Sequence, residues 1–157
     1  MPEPWRQQDP DFETRVRDSF VRQSHMATLG VAISYIAPGE VHLSLPYSPS
    51  FCQQNGYMHA GAIASVADSA NGYAAYTLAS PGTDVLAVEF KINLLAPAKA
   101  AAFLACGRVL RAGRTLTVCL AEVFTAAAAE RTLIATMLST IIVRPTGRAR
   151  DDLARDP

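Results

Sequence analysis

The chain has 157 residues, the size of one ordinary domain, enough to bury roughly two-thirds of its unfolded surface without disulfides or metal. Lys plus Arg number 14 and Asp plus Glu number 14, so no net field favours nucleic acid or an anionic membrane, and an anionic ligand must be held locally. Cys52, Cys106 and Cys119 are far apart and lack a C-x-x-C spacing, and the opening Met-Pro-Glu-Pro-Trp-Arg has no apolar run behind its charges; both features argue for a cytoplasmic protein with reduced thiols and against a secretory signal.

Asp9-Pro10 supplies an N-cap and a proline for the first helical position, and Phe12, Val16 and Phe20 recur every four residues, predicting an amphipathic helix to about Ser24. From Leu29 the period becomes two. Val31, Ile33 and Tyr35 precede the turn Pro38-Gly39, and Val41, Leu43 and Leu45 follow it, the pattern of a β-hairpin ending near Pro46. Residues 47–58 are rich in turn formers and amides and read as a loop.

Residues 60–79 are dominated by alanine and apolar side chains with one charge, Asp68, and end at Ser80-Pro81-Gly82, which predicts a helix buried nearly all round. A membrane-spanning reading is opposed by Ser65, Ser69, Asn71, Gly72 and above all Asp68, since a central aspartate costs about 2.5–3.5 kcal/mol on insertion. After this helix, Leu86, Val88, Phe90, Ile92 and Leu94 alternate with polar or small residues, predicting a strand with one core face. Residues 102–111 and 115–124 form two more strands around Ala112-Gly113-Arg114, and Leu133 to Val143 the last. The order lacks any βαβ alternation. It implies an antiparallel α+β domain in which five to six strands wrap one long buried helix, with residues 1–26 as a helical segment of the same domain, 27–145 as its body and 146–157 as a disordered tail.

Asp68 is the residue that most needs an explanation, because an unpaired carboxylate inside an apolar helix is costly enough to change its protonation state. Either it bonds a strand backbone or a partner subunit, or it acts on a ligand. Its neighbours at three and four residues, Ala64, Ser65, Asn71 and Gly72, form a small polar stripe along the helix. At the helix start, His59-Ala60-Gly61 follows a turn at Asn55-Gly56 and leaves backbone N–H groups unpaired, an oxyanion site if a carbonyl reacts there. His59 suits bracing the loop or binding a carbonyl better than acting as a base. His25 and His42 lie on other elements, without ligand spacing for zinc.

These residues resemble the hotdog-fold acyl-CoA thioesterases of the phenylacetate-degradation (PaaI-like) type, from about Phe51 to Val143. That family's signature is a Gly-x-x-His-Gly-Gly turn followed by a helix with an acidic residue nine positions after the histidine. Gly56, His59, Gly61 and Asp68 meet that spacing, and Gln53 occupies the family's amide position six residues before the histidine. The segment from Val88 to Lys99 and the Ala-Gly-Arg-Thr hairpin are also similar. Ala60 replaces the first glycine after the histidine but keeps its N–H. Ala87 stands where relatives often carry a serine or threonine that helps orient water.

The resemblance implies a hotdog fold and hydrolysis of an acyl-CoA with no metal or redox cofactor. Asp68 would act as general base or nucleophile, the Ala60 N–H as oxyanion donor, and Gln53, or Asn55 in its place, would orient water or substrate, with Gly61, Ser65, Asn71, Gly72 and Ala87 nearby. Lys91, Lys99, Arg108, Arg111 and Arg114 are the cations available for the phosphates of CoA. Two other readings share the pocket: a hotdog hydratase or dehydratase acting on enoyl or hydroxyacyl thioesters, and a non-catalytic acyl-CoA sensor, for which the missing hydroxyl at Ala87 speaks.

One consequence follows from helix geometry alone. Ala60 and Asp68 are eight residues apart, about 12 Å at 1.5 Å per residue, whereas both must lie near 3 Å from one reacting group. A site that uses both therefore lies between two subunits of a homodimer or homotetramer, with the Gln53–Gly61 loop of one chain facing Asp68 of another.

Overall fold

The computed structural model describes residues 5–126 and 131–146. Its helices are α1 (Phe12–Phe20), α2 (Ser24–Leu29) and α3 (Ala60–Tyr76), with a 3-10 turn at Pro49–Phe51. Its strands are β1 (Ala32–Ala37), β2 (Glu40–Pro46), β3 (Thr83–Leu94), β4 (Ala102–Ala112), β5 (Leu116–Thr125) and β6 (Leu133–Pro145). They form one antiparallel sheet in the order β1-β2-β4-β5-β6-β3, with α3 packed against β2 through β6. This is the hotdog arrangement expected from the sequence.

Small side chains make that packing possible. Ala67, Ala70 and Ala74 are fully buried along α3, and opposite them β4 and β5 keep a strict period of two. On β5, Thr117, Cys119, Ala121, Val123 and Thr125 all point inward. None of the three cysteines is bridged, and burial pushes the Cys119 thiol up to about 12. Among the described residues, no helix is long and apolar enough to cross a membrane.

Three expectations need correction. The first helix does not run to Ser24; it ends at Phe20, and a turn through Gln23 starts the separate α2. Continuing the four-residue stripe of Phe12, Val16 and Phe20 would have aimed Ser24 at the core, whereas the break buries Met26 and Leu29. Asp9 and Pro10 lie ahead of α1 rather than at its cap, although the Asp9 carboxylate accepts the Asp11 N–H at 2.9 Å.

In the hairpin, the register shifts between Ile33 and Tyr35, so Tyr35 turns outward onto His42 and Ile36 packs against the core instead. The third correction matters most for function. β3 has no single core face: Leu86, Val88, Phe90 and Leu94 are 45–56% exposed, while Val85 and Ile92 pack inward. Two inward residues seven apart would violate a period of two, and the register shift between Ala87 and Glu89 reconciles them. β3 is also an edge strand, so its outer backbone groups have no strand partner within the described residues.

The N-terminal segment belongs to the same body, as Val16 is fully buried and the rings of Phe20 and Tyr73 meet edge-on at 5.6 Å. Of the tail expected over 146–157, residues 147–157 lie outside the described residues.

Candidate active site

The loop before α3 is held by a short bridge between Cys52 and Met58 and by the Gln53 N–H donating to the Tyr57 carbonyl at 2.8 Å. His59 then caps the helix. Its backbone N–H donates to the Phe51 carbonyl, and its Nδ1 accepts the Gly61 N–H at 2.8 Å, which puts the neutral ring's proton on Nε2. The next two amides, of Ala62 and Ile63, both donate to the His59 carbonyl. Among the described residues the Ala60 N–H finds no acceptor, and Ala60 is exposed. His59 thus braces the turn and Gly61 spends its N–H on that brace, which leaves the Ala60 amide without an acceptor among the described residues.

Ala60 and Gln53 line one cavity, about 490 Å³, whose other walls are apolar: Tyr57, Met58, Ile63 and the stretch from Leu94 to Ala98. The Gln53 side-chain oxygen accepts the Asn55 N–H. Asn55 itself is exposed at the turn and does not line this cavity.

Asp68 opens on a different cavity, about 250 Å³, bounded by Gln23, Gly72, Tyr73, Tyr76, Asp84 and Ala87 among others. Its Oδ1 is buried and accepts no hydrogen bond among the described residues, and loss of hydration raises its pKa above the usual carboxylate range. Burial likewise pushes the Tyr73 and Tyr76 phenols up. Ser69 Oγ donates to the Gln23 side-chain amide oxygen at 3.2 Å, and the Tyr73 hydroxyl meets Ser19 Oγ at 3.4 Å.

The stripe expected around Asp68 divides. Gly72 and Ala87 share its cavity. Asn71 does not: it is fully buried and donates to Ser139 Oγ at 2.8 Å and to the Met137 carbonyl at 3.3 Å, tying α3 to β6. Ser65 lies on another side, donating to the Gly61 carbonyl at 2.8 Å and meeting His25 Nε2 at 3.0 Å.

Residues 55–130 match the model of the Thioesterase superfamily. A thioesterase family protein from Silicibacter pomeroyi has a similar crystal structure, with 44% identity and a TM-score of 0.83 over 85% of this chain and 98% of that one. The chain belongs to the thioesterase superfamily. A protein of Saccharolobus solfataricus named as a candidate esterase is 34% identical over 57% of this chain and 64% of its own length. The E. coli PaaI protein from the phenylacetic acid degradation operon shares the fold at 18% identity, with a TM-score of 0.77 over 86% of this chain and 94% of that one. Thioester hydrolysis is the reaction class that this membership assigns.

Several residues of this thioesterase's two cavities were not legible beforehand. Tyr76 continues the Asp68–Gly72 stripe at four-residue spacing, a signal present in the sequence. Gln23, Ser19 and Asp84 reach the cavity from other elements, and nothing local marks them. The same holds for Leu95 and Ile134, brought to Ala60 by the crossing of β6 beside β3.

Proposed function

We propose that this thioesterase hydrolyses an acyl-CoA to the free acid and CoA at a site shared by two copies of the chain. Asp68 of one copy serves as general base or nucleophile, and the Ala60 N–H of the other holds the oxyanion. In the general-base form, Asp68 takes a proton from water as its oxygen attacks the thioester carbonyl; the C–S bond then breaks and sulfur leaves as the thiol with that proton. Negative charge on the carbonyl oxygen is met by the unpaired Ala60 N–H at the positive end of α3. Gln53 stands on the same wall to orient water or substrate. None of these steps calls on a metal or redox cofactor.

The observation that carries this reading is the placement of the two cavities. α3 is one continuous helix from Ala60 to Tyr76, so the separation of about 12 Å between Ala60 and Asp68 holds. Residues 84–87, around the start of β3, line the Asp68 cavity, and residues 94–98, at its end, line the Ala60 cavity. β3 is a twelve-residue edge strand bearing exposed Val88 and Phe90. Pairing it antiparallel with its own copy about a twofold axis would cover that edge and bring the start of one β3 to the end of the other. Each Asp68 cavity then meets a partner's Ala60 cavity.

Free-thiol release from a panel of acyl-CoAs tests the reading, with wild type beside Asp68→Ala. Hydrolysis by wild type and its loss in Asp68→Ala is the expected result. Hydration of an enoyl-CoA without thiol release would mark a hydratase, and binding without turnover would mark a sensor.

A further inference from the structure

Three side-chain hydrogen bonds fasten the N-terminal segment to α3, and they run along the helix past Asp68. His25 Nε2 meets Ser65 Oγ at 3.0 Å, Gln23 Oε1 accepts from Ser69 Oγ at 3.2 Å, and Ser19 Oγ meets the Tyr73 hydroxyl at 3.4 Å. Ser65, Ser69 and Tyr73 follow one another at four-residue spacing, so the segment runs against the direction of α3 as a strap. Gln23 is its midpoint. It sits in the break between α1 and α2, where its backbone N–H donates to the Phe20 carbonyl and its carbonyl accepts the Ala27 N–H. Backbone and side-chain oxygen are therefore committed, and the Gln23 amide nitrogen bonds none of the described residues.

Gln23 and Asp68 line the same cavity of about 250 Å³. The hydroxyls in its wall are already engaged: Ser19 with Tyr73, Ser69 with Gln23, and Tyr76 with Asp84. Arg15, 4.6 Å from the centre of the Tyr76 ring, spends its guanidinium on the carbonyls of Tyr76, Ala79 and Ser80 and on Asp9, while Arg22 acts on Tyr73 and Tyr76 without lining the cavity. Among the described residues this leaves a buried acceptor without a donor, Asp68 Oδ1, beside a donor without an acceptor, the Gln23 amide. A single water molecule satisfies both. It gives a proton to Asp68 and accepts from Gln23 on one lone pair, which keeps the other lone pair free to attack.

We propose that Gln23 is a catalytic residue, holding the attacking water against Asp68 through its amide N–H. The inference rests on the general-base form of the reading above. It goes beyond that reading by giving the water its second partner from the N-terminal strap, so that Gln53, which lines the Ala60 cavity, is left to the substrate. The proton follows the path already described, from water to Asp68 and on to the departing sulfur. Ser69 becomes a positioning residue: its hydrogen bond fixes which end of the Gln23 amide remains for the water.

The test measures kcat and KM for thiol release from acetyl-CoA and octanoyl-CoA. Gln23→Met, close in length but without a donor, should lower kcat about 30-fold for both substrates and leave KM within about two-fold of wild type. Gln23→Glu keeps the shape and an oxygen for Ser69 but has no N–H, and should lose at least as much. Ser69→Ala frees the amide to turn and should lower kcat about three-fold, yet cost nothing further when added to Gln23→Met, because Ser69 acts through Gln23. Wild-type kcat in either Gln23 variant overturns the assignment. So does a loss confined to one acyl group or expressed in KM, which would make Gln23 a substrate contact, and so does full additivity of Ser69→Ala with Gln23→Met, which would place both effects in the fold. A wild type that releases no thiol overturns this inference and the thioesterase reading together, whereas hydrolysis by wild type with unchanged Gln23 variants overturns this inference alone.

Discussion

A Cβ added to Gly107 on β4 would lie 2.4 Å from the carbonyl of Ala70 on α3, so strand and helix meet here backbone to backbone. The same Cβ would stand 2.7 Å from the Asn71 N–H nitrogen. Neither obstacle is a flexible side chain. Gly107→Ala should destabilise the domain by about 1–3 kcal/mol, because a helix buried against a sheet cannot withdraw locally. Urea denaturation checks it, and an unchanged midpoint would show that α3 can shift.

Removing the charge at Asp68 should separate stability from activity. Desolvation raises its folded-state pKa above the unfolded value near 3.8. Between those two values the folded state holds more protons than the unfolded one, so wild-type stability falls as pH rises through the window, and the loss persists above it. Asp68→Asn escapes that loss. It should be more stable than wild type at neutral pH, with the difference shrinking as pH falls toward 3.8, while thiol release drops by about 10²–10⁴. Denaturation at several pH values with parallel assays decides; a variant less stable than wild type at pH 7 would show that the carboxylate is tied into the fold.

Arg15 on α1 closes the far end of α3. Its guanidinium donates to the carbonyls of Tyr76, Ala79 and Ser80, lies 4.6 Å from the centre of the Tyr76 ring and reaches Asp9 at 3.3 Å. Arg15→Met should cost about 1–3 kcal/mol, since the carbonyl of the last α3 residue and two carbonyls of the turn after it lose a charged donor. Thermal melts should show this, with hydrogen exchange rising first at residues 77–80.

A charge placed on the β3 edge should break the proposed assembly without unfolding the chain. Val88 is 56% exposed at the strand's bulge, so Val88→Asp buries no charge within one copy. Sedimentation should show monomers, with thiol release at least ten-fold lower. A monomer with wild-type activity would refute a site built from two copies.

The chemistry-bearing residues were easier to find than the surfaces around them. Asp68 stands out because a charge in an apolar helix is expensive wherever the helix lies, and His59-Ala60-Gly61 stands out because helix starts leave amides unpaired in any fold. The cavity walls carry no such local mark. Gln23 reaches the Asp68 cavity only because α1 breaks after Phe20, and Asn71 leaves the polar stripe only because Ser139 waits on β6.

Periodicity, composition and spacing were sufficient for the antiparallel α+β class, the alanine-rich central helix and the separation of Ala60 from Asp68, because each depends on neighbours within a few residues or on the fixed rise of a helix. Sheet order was not, and β3 shows why. Its alternation of Leu86, Val88, Phe90 and Leu94 is the same whether that face meets a core or open space, and only the pairing of β3 with β6 alone leaves it at an edge. Strand order depends on contacts between distant segments, such as Glu89 and Thr140, fifty-one positions apart, whose side chains meet at 2.5 Å. No local pattern contains that information.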